Sequence, residues 1–142
     1  MPTTSRKIFI DSSILVAFID RGSRNHLLAT KAIEDLASLN YSLYTSSQVI
    51  TDSYDLLLNE VGKTVALEFL QTMLQSGIEL LFPQKADIIT AHRILKVNNN
   101  REIALSEALN ATLMQKRGII QVLTFNNWSK LFGTTISNLI SI

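Results

Sequence analysis

Two rhythms of apolar residues alternate along the chain. Short unbroken apolar runs read as buried strands. Between them lie longer stretches whose apolar residues recur every three or four positions, the period of a helix face. Lys7 to Ile10 is the first strand. Ile14 to Ile19 reads as a short apolar helix, ended by Asp20-Arg21-Gly22-Ser23. A second helix is expected from about Asn25 to Leu39, with Leu28, Ala32, Ile33, Leu36 and Leu39 on one face. Tyr41 to Thr45 is a short strand, and Thr45 followed by Gln48 fits a capping box opening a helix to about Val61. After Gly62 a helix runs from about Lys63 to Gln75 and stops at Ser76-Gly77; Ile78 to Phe82 is a strand closed by Pro83.

The same alternation continues to the C-terminal end. A helix from about Lys85 to Val97 leads into a polar loop, Asn98 to Glu102. Another is expected from about Ser106 to Lys116, stopped by Gly118. Gln121 to Phe125 reads as a second fully buried strand, Asn126-Asn127-Trp128 as a turn or short helix, and the last residues as an edge strand near Thr135 or a tail. Strands alternating with helices imply βαβ units, hence an α/β fold whose mostly parallel sheet of about four to five strands is flanked by helices.

Composition narrows the classes. A chain of 142 residues suits one domain, 1–142, and 46% hydrophobic residues can bury a sizeable core. Only 18% are charged, so an acid on an apolar segment stands out. The net charge of +1 provides no global basic field, so a nucleic-acid partner would need a local patch. The absence of cysteine excludes disulfides and thiolate metal sites and suits a reducing cytoplasm. No signal peptide and no apolar run of about 18 residues is visible, so a membrane location is not expected.

Four polar residues fall where this alternation would place them at one edge of the sheet. Asp11 ends the first strand, Asp52 lies about two turns into the third helix, Glu107 lies at a helix start, and Asn126 ends the late strand. Ligands of open α/β sheets bind outside the carboxyl ends of the strands. Three carboxylates and an amide, all oxygen donors, suit Mg²⁺ or Mn²⁺. Each residue also has an ordinary alternative. Asp11 suits a helix cap, Asp52 a solvated surface, Glu107 the favourable charge of a first helical turn, and Asn126-Asn127 a turn. Their joint placement carries the metal-site expectation. His26, His92 and Trp128 read as structural or surface residues. Arg21, Arg24, Lys116, Arg117 and Lys130 are candidates for a basic rim, set against the ordinary reading of scattered surface cations.

The order and spacing resemble the PIN domains, metal-dependent ribonucleases, over Lys7 to about Gly133. The stretches that carry the resemblance are FIDSSILVAFIDRGSRNHLLA, TSSQVITDSYDLL, IALSEALNATLMQKRGI and VLTFNNW. The family's acid order is Asp, Glu, Asp, Asp. Asp11 takes the first place, Asp52 the second in place of Glu, Glu107 the third in place of Asp, and Asn126 the fourth in place of an acid. Ser12 or Ser13 and Thr124 fall where the family often has hydroxyls beside the metal, with Ser12, Thr124 and Asn127 expected to meet substrate. Asp20 and His26 match a stretch after the first helix. The resemblance implies an endoribonuclease using Mg²⁺ or Mn²⁺, cytoplasmic and homodimeric. If it extends to VapC-type toxins, an antitoxin protein would mask the site. The altered acid set implies an alternative, a catalytically weakened PIN-like protein that binds RNA or docks a partner. Other phosphate chemistries of such folds lack their marks here: there is no Asp-x-Asp after the first strand and no Gly-rich phosphate loop.

Overall fold

Five parallel strands form one sheet in a computed structural model that describes residues 6–98, 103–126 and 137–138. The strands are β1 (Lys7–Ile10), β2 (Ser42–Ser46), β3 (Glu79–Leu81), β4 (Gln121–Leu123) and β5 (Ser137–Asn138). The helices among the described residues are α1 (Ser12–Ile19), α2 (His26–Ser38), α3 (Ser47–Glu60), α4 (Lys63–Gln75), α5 (Lys85–Val97) and α6 (Leu105–Lys116). The sheet order is β3-β2-β1-β4-β5. The chain therefore builds outward from β1 to β3 on one side, then returns to place β4 on the other side of β1. That reversal makes the gap between β1 and β4 the switch point, where the connections diverge and leave a crevice.

Sequence and packing agree in the centre. Ile8, Phe9, Ile10, Val122 and Leu123 are buried, as expected of strands covered on both faces. Phe9 stands between Tyr44 and Val122 in register, and Ile10 lies beside Leu123. The helices turn apolar stripes to this core: Val49 and Leu57 from α3, and Ala66, Phe69 and Met73 from α4. α6 differs, because every residue from Ala108 to Met114 is buried. It is covered by the core on one side and by α5 on the other, where Ala91 packs on Ala108 and Leu109. Lys116 of α6 reaches the buried Asp87 of α5 at 3.3 Å. Asp87 in turn accepts from the Gln84 N–H at 2.7 Å and caps α5.

Most boundaries follow the periodicity; α4 and α5 coincide with it. The cap of α3 moves by one residue. Ser46, not Thr45, accepts from the Val49 N–H, at 3.2 Å. Thr45 is still within β2, and its hydroxyl donates instead to the Ile10 carbonyl at 2.7 Å. The late edge strand expected near Thr135 is Ser137–Asn138, at the edge of the sheet beside β4. α3 passes to α4 through Gly62, whose φ of +142° lies where a side chain is strained, so the sharp turn there depends on glycine. No described helix is long and apolar enough to cross a membrane.

Candidate active site at the carboxyl edge of the sheet

The site is built around one peptide group. The N–H of Asp11 donates to the Leu123 carbonyl of β4 at 3.3 Å, and the carbonyl of Ile10, on the same peptide, accepts from the Thr45 hydroxyl of β2 at 2.7 Å. The Ile10–Asp11 peptide is thus held from both neighbouring strands. The Asp11 side chain caps α1, with Oδ1 accepting from Ser13 N–H at 3.0 Å, Ser13 Oγ–H at 2.6 Å and Ile14 N–H at 3.4 Å. Oδ2 accepts a short hydrogen bond from Thr124 Oγ1. The carboxylate is 4% exposed, a burial that such a set of donors offsets. Asp11 therefore fills the ordinary role of a cap as well as standing at the crevice.

The hydroxyls around Asp11 form a directed network. Ser13 Oγ gives its proton to Asp11 and accepts from the Phe125 N–H at 3.0 Å. Thr124 Oγ1 gives its proton to Asp11 and accepts from the Asn126 N–H at 2.9 Å. With both protons spent, the 3.4 Å separation of the two hydroxyls is a contact rather than a further donation. Thr124 is fully buried. Expected beside substrate, it is instead a positioning residue: it orients Asp11 and fixes the backbone that carries Asn126. Ser12 remains open to the crevice, whereas Ser13 is the hydroxyl bound to Asp11. Asn127 lies outside the described residues.

Asp11, Asp52, Glu107 and Asn126 all line one cleft of about 260 Å³, together with Ser12 and Asn110. The four residues read from the sequence are thereby brought to one place. They do not form a ready ion cage: among the described residues no three acids or histidines stand close enough to hold a metal. Asp52 is exposed on α3. Glu107 is half-buried and bends back to its own helix, Oε1 accepting from the Ala104 N–H at 2.9 Å, the acid's share of a capping box. Asn126 is exposed at the end of the β4 segment. The donor types fit a hard divalent cation, since all are oxygens and no sulfur or imidazole lines the cleft. Closing on an ion would require the two helix-borne acids to turn inward.

A groove of about 480 Å³ continues from this cleft, sharing Ser12 and Asn126 with it and reaching Asp20, Glu60 and Phe125. A larger and more apolar cavity of about 550 Å³ opens near the first residues of β2 and β3, Ser42 and Glu79, at the other end of the strands. It contains none of the four site residues.

Of the cations expected as a basic rim, Lys116 and Arg117 do not line the cleft. Lys116 pairs with Asp87, and Arg117 pairs with Glu79 at 2.9 Å while lying over the Tyr44 ring at 5.4 Å. The reason is direction: α6 begins at the site, and a helix rises about 1.5 Å per residue, which carries Lys116 about 13 Å beyond Glu107. Arg21 lies 3.8 Å from Glu68 on the surface, and Lys130 lies outside the described residues. His26 is structural, its Nδ1 donating to the Ala17 carbonyl at 2.9 Å. His92 is exposed on α5, and Trp128 lies outside the described residues.

Sequence reading missed a second polar group in the same cleft. Asn110, buried one turn after Glu107, accepts at Oδ1 from Ser46 Oγ at 2.6 Å and from Gln48 Nε2 at 2.7 Å. Residues three apart share a helix face, so the position was reachable by extending the face of Glu107. An amide within the apolar run Ala108–Met114 was the available signal.

The comparisons with known proteins agree with this geometry. The PIN domain family model matches residues 8–128. Ribonuclease VapC1 of Aquifex aeolicus (strain VF5) is 28% identical over 120 residues, covering 84% of this chain and 81% of the relative. Two solved structures share the fold. The Mycobacterium tuberculosis VapC20, a sarcin-ricin loop cleaving toxin, superposes with a TM-score of 0.80 at 23% identity, over 89% of this chain and 95% of its own. The Rickettsia felis VapBC2 complex, bound to a DNA fragment from its promoter, gives 0.70 at 16% identity, over 93% of this chain and 98% of that one. With its acids gathered at the β1–β4 crevice and the family model matched across both halves of the sheet, the chain belongs to the PIN domain family.

Proposed function

We propose that this chain, read as one PIN domain over 1–142, is a divalent-metal-dependent endoribonuclease that hydrolyses RNA phosphodiester bonds. The observation that carries the reading is the convergence of Asp11, Asp52, Glu107 and Asn126 on one cleft at the switch point of the sheet. Asp11, Glu107 and Asn126 would hold Mg²⁺ or Mn²⁺ directly, and Asp52 would hold it through water or orient the attacking water. When bound, such an ion polarises a phosphodiester and makes a water nucleophilic near neutral pH. Asp11 supplies a fixed carboxylate, already oriented by Ser13 and Thr124. Ser12 and Asn127 are assigned to the substrate, and the groove beyond Ser12 gives an extended strand room to continue.

The likeness to a ribonuclease VapC1, to VapC20, named a sarcin-ricin loop cleaving toxin, and to VapBC2 supports a place in a toxin-antitoxin pair. An antitoxin protein would then cover the site, in a cytoplasmic and homodimeric setting. A second reading is favoured by the spread of the acids, no three of which stand within reach of one ion among the described residues. In that reading the chain keeps RNA or partner binding and has weakened catalysis, with Asn126 in place of an acid.

Cleavage of RNA by the purified chain separates the two. The first reading expects cleavage with added Mn²⁺ that stops on chelation and returns on re-addition. RNA binding without cleavage at any Mn²⁺ concentration favours the second. Cleavage that persists unchanged in chelator removes metal dependence from the proposal.

A further inference from the structure

We infer that Asn110 is a substrate-positioning residue of this cleft, presenting its amide N–H groups to a non-bridging oxygen of a bound phosphodiester. The inference rests on the nuclease reading for the identity of the ligand. The orientation of the amide follows from the hydrogen bonds around it. Ser46 Oγ accepts from the Val49 N–H at 3.2 Å, so its single proton is the one given to Asn110 Oδ1. Gln48 Nε2, a donor, points at the same oxygen. Oδ1 therefore faces the first turn of α3, and the planar amide turns Nδ2 the other way.

Asn110 is 5% exposed and lines the acid cleft. Its Oδ1 is engaged by Ser46 and Gln48, so Nδ2 is the amide atom left to serve the cleft that the residue lines. A donor is thus held at the wall by two braces, Ser46 at the end of β2 and Gln48 in the first turn of α3. Orientation fixed in advance spares the ligand the cost of ordering it.

The chemistry of the cleft makes such a donor useful. Its described lining carries three carboxylates and no Lys, Arg or His. Among the described lining residues, the side-chain donors that a phosphodiester would meet beside those acids are neutral: the hydroxyls of Ser12 and Ser106 and the amides of Asn110 and Asn126. Of the two amides, Asn110 is the buried one, and its oxygen is held by Ser46 and Gln48.

The test is Asn110→Asp. That change keeps an oxygen to accept from Ser46 and Gln48, and replaces the donor by an acceptor. Binding is read by fluorescence anisotropy of a labelled single-stranded RNA oligonucleotide, and cleavage with Mn²⁺ is followed in parallel. The expected result is RNA affinity lower by about tenfold or more, with any measurable KM raised more than kcat is lowered and Mn²⁺ affinity not reduced. RNA affinity equal to that of the native chain overturns the role and leaves Asn110 as a brace of α3. If the variant fails to fold, Ser46→Ala, which frees the amide to turn, is expected to weaken RNA by about threefold; no change there overturns the role equally. A native chain that binds no RNA overturns both this role and the nuclease reading, whereas native binding with an unaffected Asn110→Asp variant overturns this role alone.

Discussion

Replacing Asp11 by Ala and by Asn separates its two roles. The alanine change removes the cap of α1, costing about 1 kcal/mol. It also takes from Thr124, a fully buried hydroxyl, its acceptor and leaves it Ser13 Oγ at 3.4 Å, across a cavity the lost carboxylate opens, at about 1–3 kcal/mol. Ser13 is half-buried and can replace its lost acceptor with water. The total is about 2–4 kcal/mol. The asparagine change keeps an oxygen for the Ser13 and Ile14 N–H groups. Its new amide nitrogen faces Thr124, which must turn its proton toward Ser13 Oγ, 3.4 Å away. That poorer geometry costs about 1 kcal/mol. In a chain of 142 residues, each kcal/mol moves Tm by about 3 °C, so the expected losses are about 10 °C for alanine and about 3 °C for asparagine. Cleavage should follow a different order. If Asp11 holds the metal, both variants lose about a hundredfold or more in rate under conditions where both are folded. Thermal unfolding and Mn²⁺-dependent RNA cleavage measure the two effects. An asparagine variant that cleaves at the native rate would refute metal ligation by Asp11, and an alanine variant as stable as the native chain would refute the capping argument.

Three further outcomes are expected. Asn126→Asp should raise Mn²⁺ affinity by about tenfold in calorimetry, since ligand charge sets divalent-ion affinity; unchanged affinity would show that Asn126 does not face the ion. Glu107→Gln keeps an acceptor for the Ala104 N–H and should leave urea stability nearly unchanged while lowering cleavage, whereas Glu107→Ala should lose both, with about 1 kcal/mol of stability; equal activity in the glutamine variant counts against a charge requirement. Gly62→Ala should destabilise by about 1–3 kcal/mol in urea unfolding although nothing lies within 4 Å of the added Cβ, because the cost is conformational; an unshifted midpoint would contradict the backbone argument.

The central strands were legible because burial on both faces writes itself as continuous apolar sequence, and Asp11 interrupts that run where the strand ends. The helix-borne acids were legible as positions, not as directions. That Glu107 bends back to Ala104 follows from its place at the third residue of α6, which local sequence suggests but cannot weigh against ligation. The cap of α3 shifted within the triplet Thr45-Ser46-Ser47 because the deciding partner of Thr45, the Ile10 carbonyl, lies 35 residues away. Lys116 and Arg117 were misplaced as rim residues for a similar reason: charge is visible in sequence, but the axis along which α6 carries them from the site is not. Asn110 was overlooked because its meaning depends on Ser46 and Gln48, 64 and 62 residues earlier in the chain.

The peptide between Ile10 and Asp11 is gripped by β2 through its carbonyl and by β4 through its N–H. One jaw of the cleft is therefore set by the sheet, and the other by side chains on α3 and α6. Under the metal-site proposal, accommodation of ions of different radius would fall to the second jaw, because shifting the first means breaking bonds to both neighbouring strands. If the cleft holds a cation, retuning it for a larger or smaller one would then be a matter of arm length at residues 52 and 107. The shortened Asp52 and lengthened Glu107, relative to the family pattern, are a change of gauge on the adjustable side against a fixed reference.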